Sequence, residues 1–247
     1  MPSAEQLLSP VLVVRKGRAM LHVPVKEEVD DVRTVKERLG NQEKICAVYF
    51  PNADTMAVLV VLNPDGTVYE SRFIRGGKEL IHRKKQLLAR IEKNRKSMGY
   101  DREHPDRVQL PADENKSLKE KIHRITDDAA HKISREIVEF CKEREIGVIV
   151  VPAYRQGIDL NRMGYAATGY DWLGRRIISY LKYKSFGDGI VTATVSTTGI
   201  ASTCYQCGEK LKKDGKEYTC PNGHTGNVYF NCAMNVGHNF LLYRKVL

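Results

Sequence analysis

The chain of 247 residues and 28.0 kDa is long enough to bury one full-sized core, or a core plus a small module. Its 42% hydrophobic content argues against a disordered chain, and no stretch approaches the roughly 18–20 apolar residues of a membrane span. Forty Lys and Arg against 30 Asp and Glu leave a net charge of +10, a summed positive potential that attracts polyanions. The start, MPSAEQLLSP, has no charged segment leading into an apolar one, so no secretory signal is expected and the cytoplasm is the expected location.

In chain order, residues 11–14 and 20–25 flank Arg15-Lys16-Gly17-Arg18 and predict an N-terminal β-hairpin. Residues 27–43 are highly charged and read as a linker, which closes a first segment of 1–43. Strands are predicted at 45–50, 56–62 and 68–74. Asn63-Pro64-Asp65-Gly66 between the last two is a turn, since proline presets φ and glycine tolerates the left-handed corner. A helix follows, with Leu80, Leu87, Leu88 and Ile91 on one face. Gly99, Pro105 and Pro111 mark a loop over 98–113. Ser117 and Glu120 form a capping box, opening a long helix whose core face is Leu118, Ile122, Ile125, Ala129, Ile133, Ile137 and Phe140.

Gly147 stops that helix, and 148–151 is a short buried strand ended by Pro152. Residues 155–168 read as a Gly-rich loop, 172–183 as a helix, 189–195 as a strand and 231–243 as an apolar closing helix. The order predicts an α/β, RNase H-like fold: an antiparallel three-stranded start with later strands added in parallel. That domain covers 44–200, is interrupted by a cysteine cluster over 201–228 and is completed by 229–247.

Of six cysteines, Cys46 and Cys141 sit in apolar patterns and read as core thiols; without a secretory signal a disulfide framework is not expected. The C-terminal cluster differs. Cys204-Tyr-Gln-Cys207 precedes Gly208, and Cys220-Pro-Asn-Gly-His224 follows a short polar insertion. Tight CxxC turns present two sulfurs to one tetrahedral zinc ion, and such small ribbons bind it structurally rather than catalytically. Gly223 stands where a second CxxC would place its last cysteine, so the expected fourth ligand is the neighbouring His224, through a ring nitrogen. Cys232 and His238 are the alternatives, and both lie on the predicted closing helix.

The positive charge is concentrated. From Arg72 to Lys96 there are ten Lys or Arg and two acids, Glu79 and Glu92, which makes a local field rather than a balanced solvated face.

In this order the motifs resemble the C-terminal half of TnpB (OrfB) proteins, the RNA-guided nucleases of small insertion sequences, and of the related type V CRISPR effectors. The residues that carry the likeness are Leu12-Val-Val-Arg-Lys-Gly with Leu21-His-Val, and His131-Lys-Ile-Ser-Arg-Glu-Ile-Val. Further along come Leu181-Lys-Tyr-Lys184 with Gly189-Ile190, Ser202-Thr-Cys204-Tyr-Gln-Cys207-Gly208, and Asn231-Cys-Ala-Met-Asn235-Val236. The family's usual N-terminal portion is largely missing. The resemblance implies a RuvC-like domain with an inserted zinc ribbon and with guide-like RNA or DNA as partner. It also implies a further subunit, or a second copy of the chain, supplying the missing part.

RuvC-type cleavage gathers divalent metals on three or more carboxylates, and the family's positions for them do not carry over. Tyr49 or Phe50 stands at the first, Pro152 at the second and Tyr229 at the third, and none offers a carboxylate to magnesium. The implied activity is therefore binding without cleavage. An alternative keeps a magnesium-dependent DNA endonuclease built on relocated acids, with Asp54, Asp159 and Asp188 near strand ends; a third reading is a partner-docking fragment. A phosphate-tracking groove would draw on Arg72, Arg75, Arg83, Lys84, Arg90, Lys93, Arg155, Arg162, Lys182 and Lys184. Tyr154 and Tyr170 are candidate stacking platforms.

Overall fold

The computed structural model describes residues 6–15, 17–26, 29, 31, 33–41, 43–51, 53–101, 103–104, 107–111, 113–154 and 171–244. Strands β1 (Gln6–Leu7), β2 (Val11–Arg15), β3 (Arg18–His22) and β4 (Val25–Lys26) form two antiparallel pairs, β1 with β4 and β2 with β3. Gly17, at φ 73°, takes the corner between β2 and β3.

The charged stretch read as a linker carries a helix, α1 (Val35–Gly40). Thr34 and Glu37 close a reciprocal capping box at its start. Its polarity hid it, because beside Leu39 the residue it buries is an arginine. Arg38 is 2% exposed, donates to the Gly189 carbonyl, and sits 2.9 Å from Asp31 and 3.5 Å from Glu43. Gly147 leaves room for this knot, since a methyl there would overlap both Arg38 and Glu43.

Next, β5 (Ile45–Tyr49), β6 (Thr55–Leu62) and β7 (Val68–Arg75) form an antiparallel meander. Helices α2 (Gly77–Ser97) and α3 (Lys116–Lys142) lead to β8 (Val148–Pro152), and α4 (Asp171–Gly187) leads to β9 (Val191–Val195). These strands make one mixed sheet in the order β7-β6-β5-β8-β9, with β8 parallel to β5 and β9 parallel to β8. Every residue of β6 is buried, so both faces of the sheet are covered. Cys46, Val48 and Phe50 share one core with Ile133, Ile137, Ile177 and Leu181 of α3 and α4. Ile45 and Ala47 share the other with α5 (Val228–Arg244). Burial is worth about 1.5–3 kcal/mol for each large aliphatic side chain, so these two layers hold the fold. Gly237 lets α5 lie close on the sheet, because a methyl there would overlap Leu62 and come within 3.1 Å of the Ala47 Cβ.

Between β9 and α5 stands a small antiparallel sheet of β10 (Lys212–Asp214), β11 (Glu217–Thr219) and β12 (Thr225–Asn227).

Two predicted helix starts need correction. The Ser117–Glu120 capping box does not open α3, which begins at Lys116 behind Asn115 at φ 53°, with no side-chain cap bond. A buried polar knot fixes that start instead. Glu114 accepts from Arg95 and from Lys119 at 2.8 Å, while Asn115 accepts from Asn94 at 2.6 Å. Likewise α5 starts at Val228 rather than at 231, because Asn227 Oδ1 caps it by accepting the Tyr229 and Phe230 N–H groups. This puts Tyr229 in the first turn of the helix.

Candidate metal centre and nucleic-acid face

Two backbone knuckles build the cysteine cluster. In the first, Gly208 N–H returns to the Cys204 carbonyl at 2.8 Å, with Gly208 at φ 78°. In the second, Gly223 N–H returns to the Cys220 carbonyl at 3.0 Å, with Gly223 at φ 79°. Gly223 thus makes the corner where the sequence pattern leads one to expect a ligand, and the donor moves to the following His224. Ligand atoms of Cys204, Cys207, Cys220 and His224 all lie within 4.8 Å of one another. Cys207 and Cys220 sulfurs are 3.7 Å apart, and His224 Nδ1 is 3.3 Å from Cys220 and 3.8 Å from Cys204. Zinc–sulfur bonds of about 2.3 Å give tetrahedral edges of about 3.8 Å, so the donor set fits a metal ion such as zinc. Backbone bonding at Glu209 holds the Cys207 thiol down to about 7, easing the proton loss that metal binding requires. Cys232 and His238 take no part in the cluster; both lie on α5.

Two buried asparagines of α5 tie the first knuckle to the helix. Asn231 Oδ1 accepts the Tyr205 N–H at 3.0 Å, and its amide donates to the Thr203 carbonyl at 2.8 Å. Asn235 donates to the carbonyls of Ile200 and Thr203 at 3.0 and 2.8 Å. Their i, i+4 spacing was visible in the sequence as a motif, but its role needed the partner carbonyls.

The positions without carboxylates converge. Tyr49 ends β5 on the α5 side of the sheet, and Tyr229 stands in the first turn of α5. Pro152 ends β8, which runs parallel beside β5. Phe50 faces the other way, 5% exposed, in the α3–α4 core. Tyr49 packs in the same core as the buried Cys232. Burial holds the Tyr49 phenol well above its ordinary value, with Cys232, Tyr154 and Tyr229 adding in the same direction. Burial also pushes the Cys232 thiol up to about 11. These groups are therefore neutral near pH 7.

The acids considered as replacements are elsewhere or engaged. Asp54 pairs with Lys216 of the turn between β10 and β11 at 2.8 Å, and that bond holds its carboxyl below the usual range, in the ionised form. Asp188 pairs with Lys142 before β9, at the opposite end of the sheet from Tyr49, beside a cavity of about 350 Å³ that Arg38 also lines. Asp159 lies outside the described residues. Among the described residues, the one Cys/His/Asp/Glu group spaced to hold a metal is that of Cys204, Cys207, Cys220 and His224.

The basic candidates divide. Arg83 and Arg90 of α2 line a groove of about 820 Å³ with Lys121 of α3, over a floor that includes Leu87 and Ile125. Lys121 was not singled out from the sequence, since only the packing of α3 against α2 brings it there. Arg75, Lys93 and Lys182 are exposed. Others already serve the fold. Arg72 pairs with Glu136 at 2.8 Å, and Lys184 donates to the His131 carbonyl at 2.7 Å and to Ser134 at 2.9 Å. Lys84 is half-buried, and that burial lowers its ionisation, as does the charge of Arg176. Arg155, Arg162 and Tyr170 lie outside the described residues.

No protein-family model matches the chain, and no curated protein sequence does. Solved structures do. Cas12f1 in its complex with sgRNA and target DNA matches with a TM-score of 0.54 and 16% identity, over 90% of this chain and 54% of that one. A CRISPR-Cas12f ternary complex matches with a TM-score of 0.52 and 16% identity, over 94% and 44%. Alicyclobacillus acidoterrestris C2c1 in complex with single-guide RNA matches with a TM-score of 0.51 and 9% identity, over 85% and 40%. The chain spans about half the length of these proteins or less. Its mixed sheet and flanking helices have an RNase H-like fold, and it shares that fold with type V CRISPR effectors.

Proposed function

We propose that the protein is a nucleic-acid binder of the TnpB and type V effector kind that binds without cutting, as an RNA-guided DNA-binding protein or a subunit of one. One observation supports the reading: in a fold shared with type V effectors, Tyr49 and Pro152 end neighbouring parallel strands and Tyr229 stands in the first turn of α5, at positions where the family resemblance calls for carboxylates. In this reading residues 201–228 are a zinc ribbon. Cys204, Cys207, Cys220 and His224 hold one structural zinc, which cross-links two knuckles too small to bury a core of their own. The groove between α2 and α3, with Arg83, Arg90 and Lys121, is a track for the phosphate backbone, and base pairing to a guide supplies sequence recognition. A further polypeptide, or a second copy of the chain, completes the guide-holding surface.

The test is purification of the protein from its host, followed by sequencing of bound RNA and by binding assays with RNA and DNA over a salt series. The reading expects a defined RNA, and affinity that falls steeply from 50 to 200 mM salt. Preparations free of nucleic acid, with no affinity at low salt, would instead favour a docking fragment.

A further inference from the structure

The mixed sheet ends on β7, and among the described residues that edge is open: β7 pairs with β6 on one side and with no strand on the other. At eight residues it is the longer of the two sheet edges. The other, β9, has five, of which Val195 is buried and Val191, Thr192 and Ala193 are half-buried. Along β7, by contrast, Val68, Tyr69, Ser71, Arg72 and Arg75 are exposed. An open edge presents unpaired N–H and C=O groups, and folds blunt such edges with proline, lysine or a bulge. Strand β7 contains neither proline nor lysine, and its irregularities against β6 fall at its ends, so residues 70–74 run regularly.

The side chains along that stretch are complementary to themselves. Glu70 and Arg72 lie on the α3 face, where Glu70 meets Arg144 at 2.6 Å and Arg72 meets Glu136 at 2.8 Å. Tyr69, Ser71 and Phe73 alternate with them onto the α5 face. There Phe73 packs against the core, and Lys44 lies over the Tyr69 ring at 3.7 Å. Two identical edges joined antiparallel share a two-fold axis perpendicular to the sheet, so like faces meet and one residue faces its own copy. Centring on Glu70 or on Arg72 sets like charges directly opposite, which is destabilising. Centring on Phe73 leaves Arg72 opposite an isoleucine. Centring on Ser71 sets Glu70 opposite the partner's Arg72 and Tyr69 opposite the partner's Phe73, and the two-fold axis repeats each pair. The new ion pairs extend those already present into rows of alternating sign: Glu136, Arg72, the partner's Glu70, the partner's Arg144. Networks of this kind hold better than isolated surface pairs, and cross-strand aromatic pairs add to them.

We propose that β7 is the joint of a homodimer, in which two copies pair antiparallel, edge to edge, about Ser71, and the sheet continues from one copy into the other. This goes beyond the nucleic-acid reading and stands whether or not the chain carries RNA.

The test is sedimentation velocity on the full chain over a range of micromolar concentrations, after nuclease treatment and a high-salt wash so that no RNA bridges two copies. Wild-type protein should pass from the 28.0 kDa monomer to twice that mass as concentration rises. Ser71 is exposed, so Ser71→Lys and Ser71→Glu should each leave the circular dichroism spectrum unchanged. Either variant alone sets like charges face to face at the axis and should weaken dimerisation about fivefold. An equimolar mixture of the two should recover the dimer as a one-to-one hybrid, because residue 71 faces its own copy in this register alone. Wild-type protein that stays monomeric at every concentration overturns the proposal. So do single variants that dimerise as the wild type does, or a mixture that dimerises no better than its components.

Discussion

The two faces of the α5 N-terminal half have been treated differently. Toward the cysteine cluster the helix presents Asn231 and Asn235, each bonded to backbone carbonyls at the first knuckle, and the four candidate metal donors of the two knuckles all lie within 4.8 Å of one another. Toward the end of β5 it presents Tyr229 and Cys232, which share the apolar core of that face with Tyr49; in the proposed reading Tyr49 and Tyr229 stand at positions where a metal-dependent nuclease needs acids. The difference is physical. The small sheet and knuckles contribute only a few side chains, Tyr218 and Leu211 among them, to the α5-side core, so in the proposed reading metal ligands and backbone anchors carry much of the segment's stability. A carboxylate cluster without metal is only mutual repulsion, and aromatic rings fill its space at a gain in burial.

The largest effect should come from the ribbon. Cys207→Ala should reduce zinc from about one ion per chain to none and open 201–228 to protease; metal free energies in comparable small sites are about 10–16 kcal/mol. Full zinc content in that variant would show that Cys207 is not a ligand and undo the assignment. Asn235→Ala comes next, since it removes the side-chain donor to the Ile200 carbonyl and leaves the Thr203 carbonyl with Asn231 alone. It should cost about 1–3 kcal/mol in thermal unfolding while zinc content holds. At the other face, Tyr229→Asp should cost a similar amount by placing a charge beside the Tyr49 and Cys232 side chains. It should restore no cleavage, because Tyr49 and Pro152 still offer no carboxylate; magnesium-dependent nicking by this single variant would contradict the comparison.

The smallest effect concerns neither face and serves as a control. Burial opposes ionisation of Glu114, but bonds from Arg95, Lys119 and Asn115 outweigh it and hold its carboxyl down to about 2, from 4.5. A depressed folded value means the stabilisation is complete above about 4.5 and is lost as pH falls towards 2. Melting temperature should therefore drop over that window, and Glu114→Gln should flatten the drop while zinc content and oligonucleotide affinity at pH 7 stay as they are.

Local signals were legible and partnered ones were not. The β-meander could be read from alternation and from the Asn63–Gly66 turn, and the metal donors from CxxC spacing, because neighbours in sequence set both. The α1 helix was missed because its buried anchor is Arg38, whose partners Asp31, Glu43 and Gly189 come from three separate places. The start of α3 was misread at Ser117 because Glu114 and Asn115 bond back to α2, which no local rule registers. The same limit hid Lys121 and the role of the paired asparagines. The proposed loss at Tyr49, Pro152 and Tyr229 rests on a family pattern; their convergence comes from the parallel pairing of β5 with β8 and the close approach of α5 at Gly237.

One assay bears most directly on the account. The full chain, with its co-purified RNA, is incubated with labelled single- and double-stranded DNA in magnesium and in manganese, and retention and cleavage are read on the same samples. The account predicts salt-sensitive retention with the DNA intact. Metal-dependent cleavage that disappears in Asp54→Ala or Asp188→Ala would contradict it.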